Sequence, residues 1–165
     1  GSEELFGLDL QMVILGTGDK EIEKELLKIE KKYPAKLKVY LKFDEKLAHM
    51  IEAGADIFMM PSHFEPCGLN QMYSLKYGTP PLVHRVGGLA DTVVDFNEKT
   101  GAGTGFVFEE FNVKSMIIAL RRANELFSQK RKWTKLMKNG MKQDYSWSKS
   151  AGKYTQLFES LTGSK

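Results

Sequence analysis

The 165-residue sequence is poor in cysteine, in long apolar runs and in net charge. Cys67 is its single cysteine, which excludes an internal disulfide framework and a multi-cysteine zinc cage. The longest apolar runs, such as Ile57 to Met60, are too short to span a bilayer, so no membrane partner is expected. Twenty-four basic and 21 acidic residues leave a net charge of +3 spread along the chain. Nucleic acid is not expected as a partner, because binding it requires a concentrated basic face.

The hydrophobic pattern predicts one α/β domain, because short apolar runs alternate with stretches of helical period. The predicted strands are 11–15, 37–41, 55–60, 81–86 and 106–108. The predicted helix N-caps are Asp19, Asp44, Asn70 and Asn112. Such alternation implies parallel pairing with right-handed crossovers. We therefore expect a doubly wound, Rossmann-like parallel sheet with helices on both faces, over residues 3–165. Gly1 and Ser2 resemble the remnant of an expression tag.

Glycine-rich turns follow two of the predicted strands, where ligands bind in folds of this class. Gly16–Gly18 follows the first strand and Gly87–Gly88 follows the fourth. A glycine turn between a strand and a helix start suits phosphate binding by free backbone N–H groups. In the first turn, Glu21 stands where the dinucleotide fingerprint requires its third glycine. For both turns, a tight connection without a ligand is the alternative.

The loop after the third predicted strand contains the residues best suited to metal binding or catalysis. His63, Glu65 and Cys67 alternate there, as metal ligands can. The zinc deaminase signature has a second cysteine where this chain has Asn70, so no metal is expected. A nucleophilic cysteine–histidine pair would need both groups on one side of a site, which the sequence does not indicate. Phe43, at another strand end, suits either core packing or a flat surface for an adenine base.

Three segments together closely resemble the donor-site signature of bacterial glycogen synthases and plant starch synthases: Pro61–Tyr73, Tyr77–Pro80 and Gly87–Val93. Residues 16–19 and 145–147 fit the same pattern, so the resemblance covers essentially the whole chain after Ser2. It implies a retaining glucosyltransferase of the GT-B fold, in which two Rossmann-like domains face each other across a cleft. This chain resembles the C-terminal, nucleotide-sugar-binding domain.

The resemblance implies transfer of glucose from ADP-glucose, or UDP-glucose, to the non-reducing end of an α-1,4-glucan, without a metal or cofactor. Glu65 matches the acidic residue beside the donor glucose, which supports the positive charge that develops on the sugar. Phe43 matches a tyrosine that stacks on the base, and Asn70 stands where threonine is usual. The implied donor-binding residues are Gly16, Gly18, Phe43, Cys67, Gly68, Leu69, Asn70, Tyr73, Gly87, Gly88 and Leu89.

The same resemblance implies that the family's cationic phosphate ligands and its acceptor domain lie upstream of this sequence. The glucan is then expected to bind through that N-terminal domain, and the 165-residue chain alone is expected to be inactive. The cytoplasm is the expected location, or the plastid for a plant source. Two alternatives stay open: a nucleotide- or dinucleotide-binding module of another enzyme, such as an oxidoreductase, and a non-catalytic interaction fragment.

Overall fold

A computed structural model describes residues 1–163, and within them five strands and eight helices follow one another along the chain. The strands are β1 (Met12–Leu15), β2 (Leu37–Tyr40), β3 (Phe58–Met60), β4 (Pro81–His84) and β5 (Phe106–Phe108). The helices are α1 (Ser2–Phe6), α2 (Lys20–Lys32), α3 (Glu45–Gly54), α4 (Asn70–Tyr77), α5 (Gly87–Thr92), α6 (Val113–Phe127), α7 (Lys130–Met141) and α8 (Trp147–Thr162).

All strand pairs are parallel, as predicted, but the hydrogen bonds divide the five described strands into two sheets. In the first sheet β1 pairs with β2, and Met12 lies opposite Leu37. In the second sheet β4 lies between β3 and β5. Because parallel strands end at the same edge, the loops that follow β3 and β4 come together at one edge of the second sheet.

Most of the longer helices have a polar side chain as their N-cap. Asp19, Asp44 and Asn112 accept hydrogen bonds from first-turn N–H groups of α2, α3 and α6, which confirms three predicted N-caps. The prediction for Asn70 is wrong. The N-cap of α4 is Leu69, no side chain caps this helix, and Asn70 is its first residue. The first turn of α4 therefore keeps backbone N–H groups for another partner.

Helices cover both faces of the second sheet. On one face Leu82 packs in a buried cluster with Phe106 and Leu120 of α6, and on the other Val83 packs with Leu89 of α5. This alternation along β4 is what a strand buried on both sides requires. A third cluster, around Leu37 and Val39 of β2 and Phe6 of α1, forms the core of the first sheet.

Two elements are poorly buried. The apolar run over 55–60 predicts a fully buried strand, but the strand is shorter, Phe58–Met60, and only half-buried. Helix α8 buries none of its described residues and exposes Tyr154, Phe158 and Leu161. None of the helices within residues 1–163 has the length and apolarity that crossing a bilayer requires.

Glu52 is a charged residue inside the packing of α3. It is 3% exposed, and its Oε2 atom has no hydrogen-bond partner among the described residues. The Nδ1 atom of His49 lies 3.9 Å from that Oε2 atom. Burial raises the pKa of Glu52 above its ordinary value, and His49 opposes that rise only in part.

We predict that Glu52→Met stabilises the protein at pH 7. A raised pKa means that the folded state binds more protons than the unfolded chain, so Glu52 weakens the fold as the pH rises above the ordinary carboxyl value. The expected gain in unfolding free energy is on the order of 1 kcal/mol, and it shrinks as the pH falls below that value. Urea unfolding between pH 4 and 8 measures it. Glu21→Gln, at an exposed position of α2, is the control, and an equal gain at all pH values would contradict the charge explanation.

Candidate functional site

The loop after β3 and the start of α5 are packed backbone against backbone. The N–H group of Gly88 donates to the carbonyl oxygen of Glu65 at 2.9 Å. A Cβ atom added to Gly87 would overlap that same carbonyl group, and one added to Gly88 would overlap the carbonyl group of Cys67. Gly87 also has φ +43°, in the left-handed region. Only glycine at both positions lets α5 approach the loop that carries Glu65.

A buried glutamine connects this loop to the two helices. The Nε2 atom of Gln71, a fully buried residue, donates to the carbonyl oxygens of Cys67 and Gly68 at 3.0 and 3.1 Å. It also lies 3.1 Å from the hydroxyl of Thr92, which donates to the carbonyl oxygen of Gly88 at 2.6 Å. These bonds hold the backbone from Cys67 to Gly68 in one orientation relative to α4 and α5.

The sequence analysis assigned no role to Gln71 or Thr92. The available signal was an amide side chain in the first turn of α4 and a hydroxyl in the last turn of α5, each among residues that become buried. Buried polar side chains are normally hydrogen-bonded. Their pairing across two helices nevertheless depends on tertiary packing, which periodicity alone does not reveal.

The amino end of α4 presents free backbone donors. The first helical hydrogen bonds run from the N–H groups of Met72 and Tyr73 to the carbonyl oxygen of Leu69. Within residues 1–163, the N–H groups of Leu69, Asn70 and Gln71 have no acceptor. Free N–H groups combined with the positive end of the helix dipole make a site for an anion such as phosphate.

The predicted site residues of β3, β4 and their loops lie close together. Glu65, Cys67, Gly68, Gly87 and Gly88 share the network just described, and Leu69 and Asn70 begin α4 beside it. Leu89 is different, because its side chain is fully buried in the core with Val83 and Val93.

The predicted residues of the first sheet contribute an exposed ring and a hydrogen-bonded turn. Phe43 follows β2 and is 90% exposed, so the core-packing interpretation is wrong. The N–H groups of Gly16 and Gly18 are already bonded, to the carbonyl oxygen of Tyr40 at 3.1 Å and to the carboxylate of Glu23 at 3.0 Å. This turn therefore offers fewer free donors than α4 does, and its part in donor binding stays a prediction.

The histidines and the thiol have separate partners. The ring of His63 packs on Phe111 at 4.8 Å, and Nδ1 of His84 donates to the carbonyl oxygen of Ser62 at 2.9 Å. Among the described residues no hydrogen bond joins Cys67 to a histidine, and no group of three or more His, Cys, Asp and Glu side chains could hold a metal ion.

A groove of about 1240 Å³ adjoins the site on the side of α8. Cys67 and Tyr73 line it from the predicted site, and Tyr145 and Trp147 line its other side. The hydroxyl of Tyr145 donates to the carbonyl oxygen of Thr92 at 2.7 Å, and burial raises the pKa of this phenol. The segment before α8 is thereby attached to the same helix end that supports the Glu65 loop.

The family model "Glycosyl transferases group 1" matches residues 5–142, and the chain belongs to that family. Its relatives include glycogen synthases. That of Nitrosospira multiformis is 52% identical over 98% of this chain and 33% of its own length. That of Lactobacillus acidophilus is 50% identical over 98% of this chain and 34% of its own length. The chain thus spans about a third of the length of these relatives.

Solved structures show the same architecture. The catalytic domain of starch synthase IV from Arabidopsis thaliana, bound to ADP and acarbose, superposes with a TM-score of 0.80 and 35% identity, over 90% of this chain and 31% of that one. Sucrose-phosphate synthase from Thermosynechococcus elongatus shares the fold at 20% identity, with a TM-score of 0.69 over 99% of this chain and 42% of that one. The GT-B fold class expected from the sequence is confirmed.

We predict that Gly88→Ala destabilises the protein by about 1–3 kcal/mol, because the new methyl group would force the Glu65 loop away from α5. Gly152→Ala is the matched control. Gly152 lies in α8 with open space around it, so alanine there improves helix propensity and costs nothing. Urea unfolding compares the two variants. Equal midpoints for Gly88→Ala and the parent chain would contradict the tight contact.

Proposed function

We propose that this chain is the donor-binding part of a glucosyltransferase that moves glucose from a nucleoside diphosphate glucose to the non-reducing end of an α-1,4-glucan, with retention of configuration. The proposal is supported by membership of the glycosyl transferases group 1 family and by the identity to glycogen synthases. It needs no cofactor, since the sugar nucleotide is itself a substrate. The cytoplasm is its proposed location.

The observation that carries the proposal is the uncapped amino end of α4. The unpaired N–H groups of Leu69, Asn70 and Gln71 follow Glu65 by only a few residues on the same hydrogen-bonded loop. When the bond between glucose and the diphosphate breaks, negative charge builds up on the leaving phosphate. Fixed backbone donors at a helix start stabilise that charge without having to reorganise.

Glu65 has the complementary role. As the leaving group departs, the anomeric carbon gains positive charge, and a nearby carboxylate stabilises it. The backbone of Glu65 is fixed by the hydrogen bond from Gly88 and by the close contact with Gly87. We propose that this rigid backbone, beside the proposed phosphate site, holds the carboxylate on the sugar side of the breaking bond.

Phe43 supplies a flat surface for the base. Its ring is 90% exposed just after β2, so its face is accessible for stacking. We propose ADP-glucose as the donor, with UDP-glucose as the alternative. The starch synthase that superposes at 35% identity was solved with ADP, whereas the neighbour solved with UDP-glucose, Anabaena Alr3699/HepE, shares 18% identity and shows the fold alone.

The glucan acceptor is proposed to bind in the part of the protein that corresponds to the remaining two-thirds of the relatives' length. Water must be kept from the activated sugar, and a cleft that closes between two domains does this. The 165-residue chain is therefore proposed to bind nucleotide without turning over.

We predict that ADP binds to the chain more tightly than NAD, and that Phe43→Ala weakens ADP binding about 5- to 100-fold, as expected for loss of one base–aromatic stack. Calorimetric titration with ADP, UDP and NAD measures this. The control is Phe158→Ala, which removes another exposed ring from α8. A preference for NAD would instead favour the dinucleotide-binding alternative.

We predict that Glu65→Gln in the full-length protein lowers kcat by on the order of 100-fold or more, with a smaller effect on the KM for the sugar nucleotide. The amide keeps the size of the side chain and removes its charge. Glu159→Gln, at an exposed position of α8, serves as the control. Turnover near that of the unmodified enzyme would remove Glu65 from the reaction.

A further inference from the structure

The stretch of chain that carries Glu65 is bonded at both ends to the segment that connects β4 with α5. At its start, Nδ1 of His84 donates to the carbonyl oxygen of Ser62 at 2.9 Å. At its end, the N–H group of Gly88 donates to the carbonyl oxygen of Glu65 at 2.9 Å. Both donors therefore come from residues 84–88, and both acceptors lie in residues 62–65.

The two bonds differ in what the sequence must supply. Every residue except proline has a backbone N–H group, so the bond at Gly88 needs only a close approach of the two segments. The bond to Ser62 instead needs a side chain at position 84 that holds an N–H group at a fixed distance from the backbone. Because a carbonyl oxygen only accepts, this contact also determines that Nδ1 of His84 carries a hydrogen.

Packing holds the ring of His84 in place. His84 is the last residue of β4, the central strand of the second sheet, and it is 9% exposed. The centroid of its ring lies 5.4 Å from that of Phe108 and 5.3 Å from that of Phe111. A ring enclosed in this way has already lost its rotamer freedom, so its hydrogen bond to Ser62 requires no further ordering.

A third ring connects the same stretch to the loop after β5. The ring of His63 packs edge-on against Phe111 at 4.8 Å, and Phe111 itself packs on His84. His63 directly follows Ser62. The chain just before Glu65 is therefore contacted from the loop after β5 as well as from β4.

Neighbouring charges do not explain this buried histidine. Arg85 and Glu109, which follow His84 and Phe108 in the sequence, are exposed and pair with each other at 2.7 Å. Within residues 1–163, the ring of His84 forms no ion pair, and the carbonyl oxygen of Ser62 is its hydrogen-bond partner. Buried polar groups are normally hydrogen-bonded, and here the partner is the start of the Glu65 loop.

We propose that His84 is a positioning residue, whose Nδ1–H group fixes the start of the Glu65 loop and thereby the place of the Glu65 carboxylate relative to the anomeric carbon. This inference rests on the proposed function, because His84 acts through Glu65. The contact with Gly88 fixes the loop at one end only, so loss of the His84 bond leaves the other end free to shift. A shift of about 1 Å in a reacting geometry can lower a rate about 100-fold.

Two amide side chains of different length test the proposal in the full-length protein. Asparagine places its amide nitrogen the same number of bonds from Cβ as Nδ1 of histidine, whereas glutamine places it one bond further out. We expect His84→Gln to lower kcat about 10- to 100-fold, with less than about a threefold change in the KM for the sugar nucleotide. His84→Asn should recover most of that kcat. Urea unfolding of both variants confines the comparison to folded protein.

The difference between the two amides separates positioning from a general loss of structure. Equal kcat values for His84→Asn and His84→Gln would overturn the proposal. Glu65→Gln, measured alongside, separates the proposal from the proposed function. Turnover retained in Glu65→Gln would overturn the role of Glu65 and the positioning role together, whereas turnover retained in His84→Gln alone would overturn only the positioning role.

The hydrogen bond itself is measured without any assay of activity. Histidine-selective isotope labelling of the 165-residue chain gives NMR signals from three rings, and the spectrum of His84→Asn identifies the ring that belongs to His84. We expect the neutral form of this ring to carry its hydrogen on Nδ1. A neutral ring with its hydrogen on Nε2 would overturn the bond to Ser62 and the proposal with it.

Discussion

The contact between two consecutive glycines of α5 and the carbonyl groups of the Glu65 loop is the constraint on which the site depends. Gly87 and Gly88 bring backbone against backbone, closer than any side chain would allow. The loop is then oriented by the amide of Gln71 and the hydroxyl of Thr92. These partners take up the carbonyl groups and leave the N–H groups at the start of α4 without an acceptor in residues 1–163, so the proposed anion site results from the same packing that fixes the backbone of Glu65.

Two of the helices without a capping side chain start beside the site. The helices α2, α3, α6 and α8 begin with a side chain that accepts from their first turn. The helices α1, α4, α5 and α7 have no such cap, and of these α4 and α5 start next to Glu65. An uncapped helix start gives up some stability, and at α4 that loss coincides with backbone N–H groups that have no acceptor within residues 1–163. The start of α4 is therefore less stable, but its backbone N–H groups can bind a ligand.

Much of this could be predicted from local pattern. Apolar runs and capping residues such as Asp19 determine strands and helices through interactions within a few residues, and glycine pairs mark close backbone approach. The predicted N-cap Asn70 was wrong. Asparagine is a good capping residue, but tertiary packing starts the helix one residue earlier, so Leu69 takes the N-cap position. The exposure of Phe43 and the bridging role of Gln71 depend on residues distant in sequence. The division into two sheets could not be predicted either, since periodicity identifies strands but does not assign their neighbours.

On the edge of β2 away from β1, the N–H group of Val39 donates to the carboxylate of Glu30 at 3.2 Å, which has a consequence for how the protein behaves in acid. Lys38 and the N–H group of Val39 hold the pKa of Glu30 below its usual range, so this carboxylate stays ionised after ordinary glutamates have been neutralised. The edge it covers thus remains blocked under mildly acidic conditions, when loss of negative charge elsewhere leaves the chain more cationic.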